Sequence, residues 1–190
     1  MLNFTQIISV TLILFSVIDI LGSIPIIIDL RKKAGHIQSG KATLVAGVLM
    51  ILFLFVGDNL LKLFGIDVGS FAIAGSIIMF IIGMEMILGH NFFKNEPSAS
   101  NTSSVVPIAF PLIAGAGTLT TIISLRAEYE ELNILVGIVV NLVFVFIVLK
   151  STNWLERKIG ENGIGILQKI FGIILLSIAI KLFKDNIQNL

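Results

Sequence analysis

The chain has 190 residues, of which 56% are hydrophobic and 13% are charged, and its mean hydropathy is +1.02. A soluble domain cannot bury that much apolar surface, whereas a lipid bilayer can solvate it. The formal net charge of +1 leaves no basic face for nucleic acid, and the absence of cysteine excludes disulfide and thiol chemistry. The composition therefore predicts a single polytopic α-helical domain over residues 1–190, in contact with lipid.

Apolar segments of the length that crosses a bilayer, about 20 residues, follow one another along the chain. We predict transmembrane helices over Thr5–Asp29, Ala42–Leu61, Ile66–Gly89, Val105–Leu125, Leu132–Leu149 and Gly165–Phe183. The first segment is long enough that it has to tilt, break or extend beyond the hydrocarbon core. Lys and Arg are concentrated in the connections on one side, which predicts that this side is cytoplasmic and that both termini face outward.

The most polar connection, residues 91–104, lies at the middle of the chain and separates two halves, 1–90 and 105–190. Similar glycine-containing apolar runs surround Gly75 in the third segment and Gly172 in the sixth. Homologous halves with three helices each have to lie in opposite orientations across the membrane, as in many transporters. The alternative is that apolar helices resemble one another without a repeat. We predict an all-α membrane protein of six transmembrane helices as two inverted three-helix repeats, joined by a cytoplasmic linker.

The first segment contains polar residues where lipid would favour carbon. These residues recur at spacings that place them on one helical face, which we expect to contact protein or water: Thr5, Ser9, Ser16, Asp19 and Ser23. A carboxylate at membrane depth, such as Asp19, is a functional candidate. The neighbouring Gly22, Ser23 and Pro25 predict a break in the helix. The alternative is that Asp19 is structural and caps the half-helix that restarts near Gly22.

The fourth segment contains a second irregular stretch, 106–121, with the sequence VPIAFPLIAGAGTLTT. Its prolines and glycines predict a broken helix. Irregular backbone at membrane depth is tolerated where protein or a watery cavity covers it, and many secondary transporters build their binding sites in this way. The alternative is a kinked packing helix. From both breaks we predict a substrate site formed by Asp19, Gly22, Ser23, Pro25, Pro111, Gly115, Gly117, Thr118 and Thr121.

Other polar residues suggest narrower roles. Asp19 and Glu85 are the candidates for ion coupling, although Glu85 could also pair with a cation or reach the membrane interface. Asn141 is expected to bond another helix, and Asp58 and Lys62 to form a surface ion pair. Nothing in the sequence has the spacing of a nucleophile with its base, a metal cluster or a phosphate loop. We therefore expect no enzyme, no metal site and no cofactor other than a coupling ion, H⁺ or Na⁺.

The two irregular stretches resemble motifs of the MarC family of bacterial and archaeal inner-membrane proteins. The sequence DILGSIP at 19–25 is similar to Asp-Pro-x-Gly-Asn-x-Pro, and VPIAFPLIAGAG at 106–117 is similar to Val-Pro-Leu-Ala-Phe-Pro-Leu-Leu-Ala-Gly-Pro-Gly. The chain departs from these patterns at Ile20, Ser23 and Ala116. The resemblance implies a six-span inner-membrane protein with both termini outside. Some members of the family resemble transporters of glycine, alanine and similar amino acids, so the resemblance implies such transport. Other members carry a name that links them to antibiotic resistance.

Three functions follow as hypotheses. The first is a secondary transporter of small neutral amino acids. The alternative from another class is a non-transporting scaffold or modulator in a stress or drug-resistance response. A channel is disfavoured, because a site with two breaks suits occlusion rather than conduction. Several segments carry small residues, which permit close packing within one subunit or in a homo-oligomer. Examples are Gly69, Ala72, Ser76 and Gly83.

Overall fold

The computed structural model describes residues 2–34, 37–89, 105 and 108–187, and these ranges contain helices and turns but no strand. The helices are α1 (Phe4–Ile18), α2 (Ile24–Ala34), α3 (Ser39–Leu63), α4 (Val68–Leu88), a π-helical turn (Ile108–Ile113), α5 (Ala116–Leu125) and α6 (Glu131–Ile187). The predicted linker 91–104 lies outside the described residues, as do Pro107 and both histidines, His36 and His90.

Four helical segments in the described ranges are long and apolar enough to cross a membrane. They are Ser39–Leu63, Val68–Leu88, Glu131–Thr152 and Asn162–Ile187. The most apolar stretch of the last segment has a mean hydropathy of 2.1, and only 17% of it is buried by the rest of the protein. Such a surface needs lipid as its solvent. The chain is therefore an all-helical, multi-pass membrane protein.

The predicted first and fourth transmembrane segments are each divided in two. The first consists of α1, with 15 residues, and α2, with 11. The fourth consists of the π-helical turn, with 6 residues, and α5, with 10. At about 1.5 Å per residue, none of these pieces reaches the roughly 30 Å of a hydrocarbon core. The structure thus contains both of the predicted helix breaks, at 19–23 and at 110–115.

The predicted fifth and sixth segments belong to one helix, α6, that is interrupted at Gly160. We call residues 131–159 its first arm and residues 161–187 its second arm. The fifth segment was expected to end at Leu149, but the following residues contain no glycine or proline and continue the helix. The interruption falls at Gly160 because its φ of 72° and ψ of 167° lie in a region that glycine adopts at little cost.

The polar stripe predicted on the first segment does not form one covered face. Helix α1 ends at Ile18, so Asp19 and Ser23 belong to the break, while Thr5 and Ser16 are exposed. The buried side chains of α1 are apolar: Val10, Leu14 and Ile18. The prediction was wrong in two ways: the helix ends before Asp19 and Ser23, and within α1 the face that packs against protein is the apolar one.

Side-chain amides fasten α1 to the first arm of α6. Asn133 is fully buried; its Oδ1 accepts from the backbone N–H of Asn3 at 3.0 Å, and its Nδ2 donates to Gln6 Oε1 at 2.6 Å. Two turns further along, Asn141 Nδ2 donates to the carbonyl of Thr11 at 3.1 Å, which confirms that Asn141 bonds another helix. These bonds fix α1 along the arm by polar groups that lipid could not satisfy.

Helix α2 is fastened near the other end of the same arm. Arg31 Nη1 donates to Thr152 Oγ1 at 2.8 Å, and Thr152 is fully buried. The first arm therefore holds both halves of the first segment, one on each side of the break at 19–23. The predicted ion pair between Lys62 Nζ and Asp58 Oδ2 is also confirmed, at 2.7 Å on the surface of α3.

We predict that Asn133→Ala lowers the thermal stability of the purified protein in detergent by about 1–2 kcal/mol. The substitution removes two bonds from the buried Asn133, to Asn3 and Gln6, and hydrogen bonds between membrane helices contribute up to about this much. The control is Asn59→Ala, at an exposed position of α3, which should change stability by less than about 0.5 kcal/mol. Equal effects of the two substitutions would show that the hydrogen bonds of Asn133 do not hold α1 against the first arm of α6.

Candidate functional site

The first break is organised by Asp19. Its φ of 43° and ψ of 48° are left-handed, a conformation that Asp adopts more readily than most residues, and it ends α1. The carbonyl of Asp19 accepts from the backbone N–H of Ser23 at 3.1 Å and from Ser23 Oγ at 3.0 Å. Its carboxylate Oδ1 accepts from the N–H of Gly22 at 3.2 Å. The structural alternative for Asp19 is therefore realised: this side chain caps the turn that leads into α2.

Gly22 lets the carboxylate lie against the backbone. A Cβ atom at this position would overlap Asp19 Oδ2 and lie 2.8 Å from Asp19 Cγ. Atoms that are not bonded to each other do not approach so closely. Any side chain here would displace the carboxylate from the turn. Pro25 follows in the first turn of α2 and is buried. The N–H groups of a first turn have no partner within the helix, so proline costs no hydrogen bond at this position.

The second break combines an extended residue with a wide helical turn. Phe110 is extended, with φ −141° and ψ 130°, and Pro111 follows it. The N–H of Ala114 donates to the carbonyl of Ala109 at 2.9 Å, five residues back, as in a π-helix. Gly115 then begins α5 as its N-cap, and a Cβ there would overlap the carbonyl oxygen of Pro111. Glycine is thus required where the chain turns back on itself.

The threonines of α5 bond to nearby backbone. Thr118 Oγ1 donates to the carbonyl of Ile113 at 3.1 Å, across the break. Thr120 Oγ1 and Thr121 Oγ1 donate to the carbonyl of Gly117 at 3.1 Å and 2.7 Å. Thr118 is therefore a support of the second break, and the Thr121 hydroxyl caps a helical carbonyl within α5.

The two breaks meet at one small cavity. Its volume of about 10 Å³ is roughly the room for a single water molecule. Its wall is formed by the end of α1 and the first break, the π-helical turn, α4 and the second arm of α6: Val17, Ile18, Asp19, Ser23, Met79, Ile82, Pro111, Leu112, Leu175 and Ile178. The polar groups in this wall come from the first break, and the remaining side chains are apolar.

Three of the predicted site residues line this cavity: Asp19, Ser23 and Pro111. Gly22 and Gly115 shape the two breaks behind it. A Cβ at Gly117 would lie 3.9 Å from both Met79 Cε and Val17 Cγ1, which places Gly117 one side chain away from the cavity. Pro25, Thr118 and Thr121 are not among the lining residues. Their place in the site stays a prediction.

Glu85 lies on α4, nearly one turn beyond Ile82, and does not belong to the lining. Its role in ion coupling stays a prediction. Sequence reasoning missed the apolar half of the wall, which includes Met79, Ile82 and Leu175. No polarity or spacing distinguishes these residues from the many apolar residues that face lipid.

Helix α4 is held close to its neighbours by glycines on either side of Met79. A Cβ at Gly75 would overlap the Cβ of Ala116 at the start of α5. A Cβ at Gly83 would lie 3.1 Å from the carbonyl oxygen of Gly172, in the second arm of α6. Ala72, Ser76 and Gly83 are buried within this subunit. The small residues of α4 are thus used for packing inside the subunit.

These features define a class: a polytopic membrane protein in which two interrupted helices meet at a central cavity. The sequence pattern of the MarC family integral membrane proteins matches residues 4–190. The chain therefore belongs to the MarC family.

Its relatives are uncharacterised membrane proteins of bacteria and archaea. A UPF0056 membrane protein of Buchnera aphidicola is 32% identical over 97% of both chains. One of Pyrococcus abyssi is 31% identical over 93% of this chain and 91% of its own. The UPF0056 inner membrane protein YhgN of Escherichia coli is 29% identical over 96% of both. No solved structure matches the chain.

We predict that Gly75→Ala destabilises the fold by about 1–3 kcal/mol, because the added methyl would push α4 away from Ala116. Thermal unfolding in detergent measures the loss.

The matched control is Gly165→Ala, since no atom lies within 4 Å of a Cβ at that helical position. It should be neutral or slightly stabilising, because alanine favours helix over glycine. Equal stability of the two variants would show that α4 and α5 do not approach as closely as described.

Proposed function

We propose that this protein is a secondary transporter of small neutral amino acids, of the glycine and alanine type, in a prokaryotic inner membrane. The proposal is carried by one observation: the two interrupted helices line the same cavity, and the carboxylate of Asp19 is in its wall. A packing kink needs no cavity and no acid at membrane depth. The name of the Escherichia coli relative, an inner membrane protein, supports the location.

The groups around the cavity suit a zwitterion with a short side chain. The Asp19 carboxylate and the Ser23 hydroxyl can accept from an ammonium group. The start of α5 lacks a side-chain cap at Gly115, so its unpaired N–H groups and helix dipole suit a carboxylate. The apolar wall contributed by α4 and the second arm of α6 suits a neutral side chain. A charged side chain would be buried there without a partner.

The cavity is too small for the substrate in this structure, because a space for one water does not hold an amino acid. Binding therefore requires the wall to open, and transport requires it to open to each side of the membrane in turn. In this proposal the halves 1–90 and 105–190 are inverted repeats, both termini face outward, and the backbone of the two breaks moves to open the site to each side in turn. Asp19 carries the coupling H⁺, or shares the coupling Na⁺, and Glu85 is the second candidate for that role.

We predict that Asp19→Asn abolishes most saturable uptake of glycine or alanine into proteoliposomes. Asparagine can still accept from the Gly22 N–H and tolerates the left-handed backbone, so the fold should persist. The lost charge should lower uptake about 10- to 100-fold, the value of a charge-assisted bond. Radiolabelled uptake at equal protein content, with thermal unfolding as the fold check, gives the result.

The control is Asp58→Asn, whose carboxylate pairs with Lys62 on the surface and which should leave uptake unchanged. Uptake by Asp19→Asn at the unsubstituted rate would rule out the proposed role of Asp19. Absence of uptake by the unsubstituted protein, together with a stable protein partner after gentle detergent extraction, would favour the scaffold function instead.

A further inference from the structure

Met79 differs from the other apolar residues of the cavity wall. It is unbranched, with three rotatable bonds, and such a side chain adapts to irregular spaces. Ile82 and Ile178 are β-branched and therefore stiff at χ1. Met79 is buried, with 9% of its surface exposed. Met79 can therefore change conformation more readily than the two isoleucines of the wall.

The side chain of Met79 extends from the cavity towards the start of α5. Its Cε lies 4.0 Å from the position of a Cβ at Gly115 and 3.9 Å from that of a Cβ at Gly117. A larger residue at either position would crowd the methyl group. Met79 therefore fills the space between the cavity and the first turn of α5, and the two glycines leave that space available to it.

The backbone that carries Met79 cannot readily withdraw. Gly75 and Gly83 lie four residues before and after it, one helical turn away in each direction on the same face. Gly75 is in direct contact with Ala116 of α5, and Gly83 with the backbone of Gly172. Helix α4 is thus held at both sides of Met79, and room in the cavity has to come from the side chain.

We propose that Met79 sets the size limit of the substrate. Its side chain closes the cavity towards α5, turns aside when a small amino acid enters, and leaves no room for a larger one. This inference rests on the proposed function, since it names the residue that determines which amino acids the same site accepts. It assigns specificity to packing rather than to a polar contact.

The test compares Met79→Ala with Met79→Leu in the full chain. Alanine removes the side chain beyond Cβ, whereas leucine conserves its volume. Thermal stabilisation is measured for each purified protein with glycine, alanine, valine, leucine and norleucine. The unsubstituted protein and Met79→Leu should respond to glycine and alanine only. Met79→Ala should respond also to the larger amino acids and reduce the discrimination between alanine and valine at least about tenfold, the effect of one methylene in an apolar pocket.

A second measurement needs no amino acid. Because the chain has no cysteine, Ser23→Cys places a single thiol in the cavity wall. Its reaction rate is measured with a methyl and a benzyl methanethiosulfonate reagent. Met79→Ala should raise the rate of the benzyl reagent at least about tenfold and Met79→Leu should not. Met79→Val, which retains more packing, should give an intermediate rate and serves if the alanine variant does not fold.

The outcomes separate the two proposals. An unchanged ranking of amino acids in Met79→Ala, with glycine still bound, would overturn the role of Met79 and leave the transporter proposal in place. No response of the unsubstituted protein to any amino acid would count against the transporter proposal, and the thiol rates would then decide the role of Met79. Equal benzyl rates in all variants would overturn that role.

Discussion

Inside a bilayer, every backbone N–H and C=O group has to find its partner within the protein, and this constraint decides how the two broken helices are built. At the first break, Asp19 and Ser23 provide the partners, since the carbonyl of Asp19 accepts two bonds and its carboxylate accepts a third. At the second, the π-type bond of Ala114 and the hydroxyl of Thr118 serve the same purpose. Residues that the sequence suggests as ligand contacts are thus also the supports that allow the breaks to exist.

The surroundings of the breaks are rigid. The first arm of α6 holds α1 through Asn133 and holds α2 through Thr152, whose hydroxyl accepts a bond from Arg31. The first break therefore lies between two helices that are both fastened to this arm. Helix α4 lies close to α5 at Gly75 and to the second arm of α6 at Gly83, where an added Cβ would meet Ala116 in the first case and Gly172 and Leu176 in the second. We therefore expect motion at the backbone of the breaks and at the side chains of the cavity wall rather than in the helices around them.

The sequence predicted both breaks, because proline restricts the backbone and removes a hydrogen-bond donor, while glycine permits conformations that other residues avoid, wherever the chain lies. It did not predict the length of α6, since only the conformation at Gly160 decides where that helix is interrupted. The polar stripe predicted on the first segment was wrong because the helix ends before the left-handed Asp19 and because the buried face of α1 is apolar. Met79 could not be found from the sequence at all. An apolar residue acquires its role from the helices that meet at its position, and pattern alone does not contain that information.

The central claim is that the two breaks form one binding site, and paired protection of single thiols tests it most directly. Ser23→Cys and Leu112→Cys, each the only thiol in its chain, lie in the same cavity wall but in different breaks. Their modification by a small methanethiosulfonate is followed while glycine is titrated. If the two breaks form one binding site, glycine protects both thiols with the same half-maximal concentration. Protection of one thiol without the other, or of neither, would contradict a shared site.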